Sequence, residues 1–171
     1  MTEPAAAPLR LAHHESYDDD LIRGILREVR TIAMVGASAN WNRPSFFAMK
    51  YLQAKGYRVI PVNPKEAGKK ILNETVYAEL TDVPVKVDMV QVFRRSETVG
   101  PVAEEAIRIG AKVLWMQLGV RNDAAAARAE AAGLKVVMNR CTKIEYGRLS
   151  GEIGWLGVNT KIITSKRTKR I

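Results

Sequence analysis

The 171-residue sequence contains one cysteine, Cys141, and only two histidines. A single cysteine excludes an internal disulfide and is typical of a protein from a reducing compartment. The histidines, His13 and His14, are adjacent in a segment that we predict to be mobile and exposed. Such residues would be poor ligands for a structural zinc ion, so the sequence predicts no metal site.

The sequence also lacks an apolar run long enough to cross a bilayer. Its first residues, MTEPAAAPLRLAHHESYDDD, do not show the basic and then apolar order of a secretory signal. They are also too acidic for a mitochondrial presequence. We therefore expect a cytoplasmic protein that has no membrane partner.

Positive charge, in contrast, is abundant. The 27 lysines and arginines exceed the 18 acidic residues and give a formal net charge of +9, which favours partners rich in phosphate or other anions. Four of the cations lie in the final segment TSKRTKRI, which is typical of a solvated tail. Nucleic-acid binding through this tail is an alternative, but no RNP-type aromatic pattern, helix-turn-helix signal or zinc finger supports it.

Short apolar runs alternate with helical patterns along most of the chain. This alternation predicts an α/β protein with a Rossmann-like, doubly wound parallel sheet of about five strands in three α/β/α layers. We divide the chain into a flexible lead at residues 1–16, a single domain at residues 17–165 and a basic tail at residues 166–171. The predicted strands are TIAMVG, YRVIPVN, VDMVQVF, AKVLWMQLG and LKVVMN.

The loop after the first predicted strand, GASANWNRPS, has the composition of a phosphate site. Gly36 permits close approach of the backbone, and Ser38 and Ser45 offer hydroxyl donors. Arg43 carries a planar guanidinium suited to phosphate. Pro44 fits the first turn of the next helix, whose free N–H groups favour an anion. The alternative interpretation is a tight turn with a capping serine.

The second predicted strand ends in Val62, Asn63, Pro64 and Lys65. A site for a dinucleotide with a free ribose diol usually carries an acid at this place. A lysine suits a ribose that bears a phosphate instead. NADP and coenzyme A (CoA) both carry such a phosphate, so these residues leave both cofactors open.

The remaining strand ends add further polar candidates. Arg94 and Arg95 would point in opposite directions along a continuing strand, so at most one of them is expected to face a ligand. We predict that Ser96 caps the helix that follows. Cys141 is interpreted as a small packed residue at a turn, and a reaction with the CoA thiol is the alternative. The other candidates are Phe93, Gln117, Gly119, Asn139 and Arg140.

Taken in order, several segments resemble the small single-domain CoA-binding proteins. These segments are VGAS…RPS, VIPVNPK, NETVYAEL, VDMVQVFRRSE, GAKVLWMQLGV, NRCTKIEY and GWLGVNT. The resemblance covers about residues 31–166. The domain of that family is similar to the CoA-binding domain of the succinyl-CoA synthetase alpha subunit.

The resemblance implies binding of CoA or an acyl-CoA. The phosphorylated histidine of the synthetases belongs to a following domain that has no counterpart here, so we expect a carrier or sensor rather than an enzyme. An NADP-dependent oxidoreductase remains the alternative, and self-association or an unknown protein partner stays open. The implied contacts are Gly36, Ala37 and Ser38 with the diphosphate, Lys65 with the phosphate end of the nucleotide, Val62, Phe93 and Val99 with adenine, and Gln117, Leu118 and Gly119 with pantetheine.

Overall fold

The computed structural model describes residues 7–151 of the chain. Short 3-10 helices lie at Ala12–His14, Pro64–Glu66, Leu80–Asp82 and Ser96–Thr98. In chain order, the longer elements are α1 (Asp19–Glu28), β1 (Thr31–Val35), α2 (Pro44–Ala54), β2 (Arg58–Val62), β3 (Lys70–Ile71), β4 (Glu74–Thr75), β5 (Met89–Val92), α3 (Val99–Arg108), β6 (Val113–Met116), α4 (Asp123–Ala131), β7 (Lys135–Val137) and α5 (Thr142–Leu149).

Five parallel strands form the central sheet in the order β2-β1-β5-β6-β7. The chain first moves outward from β1 to β2 and then returns to place β5 on the other side of β1. This reversal leaves a crevice beyond the carboxyl ends of β1 and β5, where ligands of doubly wound sheets bind. The predicted Rossmann-like fold is therefore confirmed. The small β3–β4 hairpin stands apart from the main sheet.

The sheet is covered on both faces, and the side chains of β1 show why its sequence is continuously apolar. Ala33 and Val35 pack into one core with α3 and α4. Ile32 and Met34, on the opposite face, pack into a second core with α1 and α2. Since successive strand residues point to opposite faces, a strand buried on both sides has no polar positions to spare.

The segment before α1 differs from the prediction of a flexible lead over its described part. The Leu11 N–H donates to the Asp123 carboxylate (2.7 Å), and the Arg121 guanidinium donates to the Leu11 carbonyl oxygen (3.1 Å). His14 is only 3% exposed. The prediction that both histidines are exposed is thus wrong for His14, because side chains 110 residues away hold the segment in place. The division at residue 16 stays a prediction.

The cap predicted for the third helix is also wrong. α3 begins at Val99, and Ser96 lies in the preceding 3-10 turn. The Ser96 hydroxyl oxygen instead accepts a hydrogen bond from the Arg121 N–H (3.0 Å). Ser96, two residues before the observed N-cap Thr98, therefore joins the loops that follow β5 and β6.

Two predictions fall on residues outside the described part of the chain. They are the GWLGVNT segment of the family resemblance and the basic tail at residues 166–171. Within residues 7–151, no helix has the length and apolar character needed to cross a membrane.

Asp123 supplies a test of how the N-terminal segment is held. Hydrogen bonding from the Arg121 guanidinium lowers the pKa of Asp123 to about 2. A depressed carboxyl pKa stabilises the fold above about pH 4, and this contribution is lost as the pH falls toward about 2. We expect Asp123→Asn to lower the free energy of unfolding at neutral pH by about 1 kcal/mol and to weaken its pH dependence in that acid window.

Urea unfolding at neutral pH and at about pH 3 measures both effects. Asp20→Asn is the control, because Asp20 forms a salt bridge with Arg23 while its side chain is 89% exposed. The control should change little in either condition. An acid dependence in Asp123→Asn equal to that of the unmodified protein would contradict the assignment.

Candidate functional site

A groove lies at the carboxyl edge of the sheet, where the strand order reverses. Its larger part has a volume of about 620 Å³, within the range of small-molecule sites. It is formed by the loops after β1, β5 and β6 and by the start of α2. The residues that line it are Gly36, Ser38, Arg43, Pro44, Ser45, Phe93, Arg94, Arg95, Gln117, Leu118 and Val120.

A second pocket of about 360 Å³ continues this surface toward the end of β2. It shares Gly36, Phe93, Arg94 and Arg95 with the larger part. We call the two pockets together the strand-end groove. The residues added by the second pocket are Asn63, Pro64, Lys65 and Thr98.

Gly36 directly follows β1 and lies between the carboxyl ends of β2 and β5. Its N–H donates to the Val62 carbonyl oxygen (2.9 Å), and the Phe93 N–H donates to the Val35 carbonyl oxygen (2.8 Å). Its φ of +86° is one that residues with a side chain rarely adopt, and a Cβ would lie 2.6 Å from the Phe93 carbonyl oxygen. Only glycine therefore fits this close approach to Phe93 without a backbone shift.

The two serines of the first loop have different surroundings. Ser45 is 4% exposed, and its hydroxyl oxygen accepts from the Ser38 N–H (3.2 Å). The Ser38 hydroxyl oxygen accepts from the Asn40 N–H (3.1 Å). The Ser38 hydroxyl can still donate its own proton to a ligand. Ser45 thus shapes the loop, while Ser38 offers a donor at the surface of the groove.

Asn63 joins the loops after β1 and β2. Its side-chain amide donates to the Ala37 carbonyl oxygen (2.8 Å), and its side-chain oxygen accepts from the Lys65 N–H (3.0 Å). The side chain of Ala37 is buried in the core, so only its backbone is near the groove. Asn63 therefore positions the turn that carries Lys65.

The groove is positively charged. Arg43, Arg94, Arg95 and Lys65 line it, whereas none of the described lining residues is acidic. Within residues 7–151, none of these four side chains forms a salt bridge. Four cations without bound carboxylates produce a potential that attracts a ligand with several phosphates.

The structure places Arg94 and Arg95 differently from the prediction that at most one of them faces a ligand. Both line both pockets. The strand ends at Val92, and Arg95 immediately precedes the 3-10 helix at Ser96–Thr98. Once the chain leaves the strand, consecutive side chains no longer alternate between opposite faces.

Gln117 reaches the groove from a buried polar chain in the sheet. The Gln91 side-chain amide donates to the Thr142 hydroxyl (2.8 Å) and to the Gln117 side-chain oxygen (3.3 Å). The bond from Gln91 occupies only the side-chain oxygen of Gln117. The amide N–H groups of Gln117 are therefore not engaged by Gln91. Beside it, Leu118 is 58% exposed, which gives the groove an apolar wall.

Several predicted site residues do not line the strand-end groove. The side chains of Val62 and Val99 are buried in the hydrophobic core, so neither borders open space for adenine. The Gly119 N–H donates to the Asn139 side-chain oxygen (2.7 Å), and these two residues pair with each other. Cys141 is partly buried just before α5. The predicted residues outside the lining are Ala37, Val62, Val99, Gly119, Asn139, Arg140 and Cys141.

Sequence reasoning missed three residues of the lining. Strand alternation predicts that at most one arginine of the Arg94–Arg95 pair faces a ligand, so it does not predict Arg95 together with Arg94. Thr98 and Val120 lie in turns beyond the strands. Nothing in their immediate sequence distinguishes them from other loop residues, so only the fold brings them to the groove.

Comparison with known proteins gives a family match. A family model described as "CoA binding domain" matches residues 30–147. The uncharacterized protein YneT of Bacillus subtilis is 36% identical over 125 residues, which are 73% of this chain and 91% of YneT.

Solved structures of other proteins are also similar to this chain. A hypothetical protein from Pyrococcus horikoshii is 38% identical and superposes with a TM-score of 0.75, covering 88% of this chain and 100% of the other. A dinucleotide-forming acetyl-coenzyme A synthetase from Ca. Korarchaeum cryptofilum is 23% identical with a TM-score of 0.57. The superposition covers 67% of this chain and 28% of the synthetase, and it shows only that the two share a fold.

Replacing Gly36 tests whether its close approach to the Phe93 carbonyl constrains the fold. We expect Gly36→Ala to lower the free energy of unfolding by about 1 kcal/mol through its positive φ and by about 1–3 kcal/mol more through the contact with the Phe93 carbonyl. Gly110→Ala is the matched control, because Gly110 also has a positive φ (+71°) but open space around a Cβ. Equal losses in urea unfolding would show that close approach does not constrain Gly36.

Proposed function

Because this chain belongs to the CoA binding domain family, we propose that it binds coenzyme A or an acyl-CoA along the strand-end groove. One observation carries the proposal. The groove gathers four cations and no described acidic residue at the point where the strand order reverses. CoA carries a diphosphate and a separate ribose phosphate, so it needs positive charge at more than one place.

The diphosphate is proposed to lie against the loop after β1. Gly36 lets the backbone come close to the phosphate oxygens, and the Ser38 hydroxyl donates to one of them. Arg43 lies at the N-cap of α2, where the positive end of the helix dipole adds to its charge. α2 spans 11 residues, so this dipole is that of a full helix.

The ribose phosphate is proposed to lie in the second pocket. Lys65 is exposed there, on the turn that Asn63 holds. A lysine at this position favours a phosphorylated ribose over the free diol that an acid would hold. Arg94 and Arg95 line both pockets, so each can reach the diphosphate or the ribose phosphate.

The other ligand parts are proposed to follow the less charged surfaces. Phe93, which is partly buried and lines both pockets, offers an aromatic face to adenine. Gln117, Leu118 and Val120 form the wall for pantetheine. Gln117 can bond an amide of the pantetheine arm, while the two apolar residues contact its methylene groups.

We propose a carrier or sensor role rather than catalysis. The described residues that line the groove include no carboxylate, histidine or cysteine. These are the groups that most often serve as general acids, general bases or nucleophiles. Holding a ligand requires only the donors and cations already named.

Lys65→Glu tests the placement of the ribose phosphate. We expect it to weaken CoA binding about tenfold or more, since a charge-assisted hydrogen bond is replaced by repulsion. Dephospho-CoA, which lacks that phosphate, should be affected much less. Calorimetric titration of both ligands, with NADP as a third, gives the comparison.

Lys50→Glu provides the matched control, because it makes the same change of charge on an exposed part of α2 outside the groove lining. Equal losses for CoA and dephospho-CoA in Lys65→Glu would show that Lys65 does not contact the ribose phosphate. Tight binding of NADP without binding of CoA would overturn the choice of ligand.

Two substitutions of Ser38 test the diphosphate position. Ser38→Ala removes only the hydroxyl, and we expect a loss of about two- to tenfold in CoA affinity. Ser38→Tyr should abolish binding by filling the loop, with an unchanged circular dichroism spectrum. Unchanged affinity in Ser38→Tyr would place the diphosphate elsewhere.

A further inference from the structure

A second polar cluster lies outside the strand-end groove, where the N-terminal 3-10 helix contacts α4. His13 Nε2 is 3.0 Å and 3.1 Å from the two carboxylate oxygens of Glu130. His14 Nε2 is 2.9 Å from Glu130 Oε1. The two imidazole rings lie side by side, with centroids 4.2 Å apart. Two ring nitrogens and a carboxylate therefore converge on one small volume.

The inner histidine has a buried nitrogen that the protein does not satisfy. The side chain of His14 is 1% exposed, and its Nε2 has no hydrogen-bond partner among the described residues. The contact with Glu130 is close, but it is not aligned as a hydrogen bond. A buried polar atom without a partner destabilises the fold, and such atoms call for an explanation in a native structure.

The other nitrogen of His14 is held by the residues behind it. His14 Nδ1 is 2.8 Å from the Tyr17 hydroxyl oxygen, and this oxygen accepts a hydrogen bond from the Met138 N–H (2.7 Å). When His14 Nδ1 carries the proton and donates it to Tyr17, the lone pair of Nε2 points toward His13 and Glu130. Histidines that bind metals are commonly oriented by such a bond at their second nitrogen.

We propose that His13, His14 and Glu130 bind a divalent transition-metal ion, with zinc as the best-fitting ion. Bonds of about 2.0 Å in tetrahedral geometry separate the ligand atoms by about 3.3 Å. The nitrogen–oxygen distances to Glu130 lie between 2.9 Å and 3.1 Å, so these contacts need only a small outward shift of Glu130 to admit an ion. All the ligand atoms lie within 4.8 Å of one another.

The exposure of the cluster gives the ion both access and a free coordination position. The side chains of His13 and Glu130 are 59% and 32% exposed, in contrast to His14. A pocket of about 360 Å³ opens beside them. Three protein ligands leave a fourth position for water or for a ligand from solution, as in zinc sites that are not purely structural.

The ion would link the N-terminal segment to α4, adding to the bonds from Leu11 to Asp123 and Arg121. Metal binding to the folded chain would therefore stabilise it. This site is separate from the strand-end groove, so its test does not depend on CoA binding.

The experiment is a calorimetric titration of zinc chloride into protein that carries no polyhistidine tag and has been treated with a chelator. The sequence has only these two histidines, which makes a histidine-dependent signal unambiguous. We expect one bound ion per chain. His13→Ala and Glu130→Gln should each weaken binding at least about tenfold. Glu104→Gln, which changes an exposed carboxylate paired with Arg128, should bind as the unmodified protein does.

Cobalt(II) provides a second readout that does not depend on stability. Bound at this site it should give visible absorption of the intensity typical of tetrahedral coordination, and His13→Ala should remove that absorption. No saturable zinc binding to the unmodified protein would overturn the proposal. Equal zinc affinity in His13→Ala, Glu130→Gln and the unmodified protein would also overturn it and would leave an ordinary histidine–carboxylate ion pair.

Discussion

The close approach of Gly36 to the Phe93 carbonyl is the constraint on which the strand-end groove depends. It brings the loop after β1 against the end of β5, while the Gly36 N–H holds the end of β2. Both pockets are lined by Gly36 and Phe93, so the relative position of the two pockets depends on this one contact. A larger residue would push apart the loops after β1 and β5, which carry Ser38 and Arg94.

The groove combines a rigid frame with unpaired charge. The frame consists of backbone bonds between strand ends and the side-chain bonds of Ser45 and Asn63. The cations Arg43, Arg94 and Arg95 are left without carboxylate partners in the described part of the chain. Like charges held close together repel one another, and an anionic ligand relieves that repulsion. The repulsion that destabilises the ligand-free protein therefore favours binding of a phosphate-rich ligand.

The local sequence pattern predicted the strands and helices better than the positions of side chains at the strand ends. The five strands and the helix that begins at Pro44 are confirmed, as is the resemblance to CoA-binding proteins. The alternation rule failed at Arg95 because the strand ends three residues earlier. The capping rule failed at Ser96 because its hydroxyl bonds to Arg121, 25 residues away. The error at Ser96 arose because a contact distant in sequence replaced a local preference, whereas the error at Arg95 arose from the position of the strand end.

The sequence by itself determined the order of elements, because buried strands and amphipathic helices leave periodic apolar patterns that need no knowledge of the partner surface. It also determined which strand ends carry glycine, hydroxyls and cations. Only the tertiary structure decided that both Arg94 and Arg95 line the groove and that His14 lies beside Glu130. These outcomes depend on segments far apart in the chain packing together, and such packing leaves no trace in the spacing of neighbouring residues.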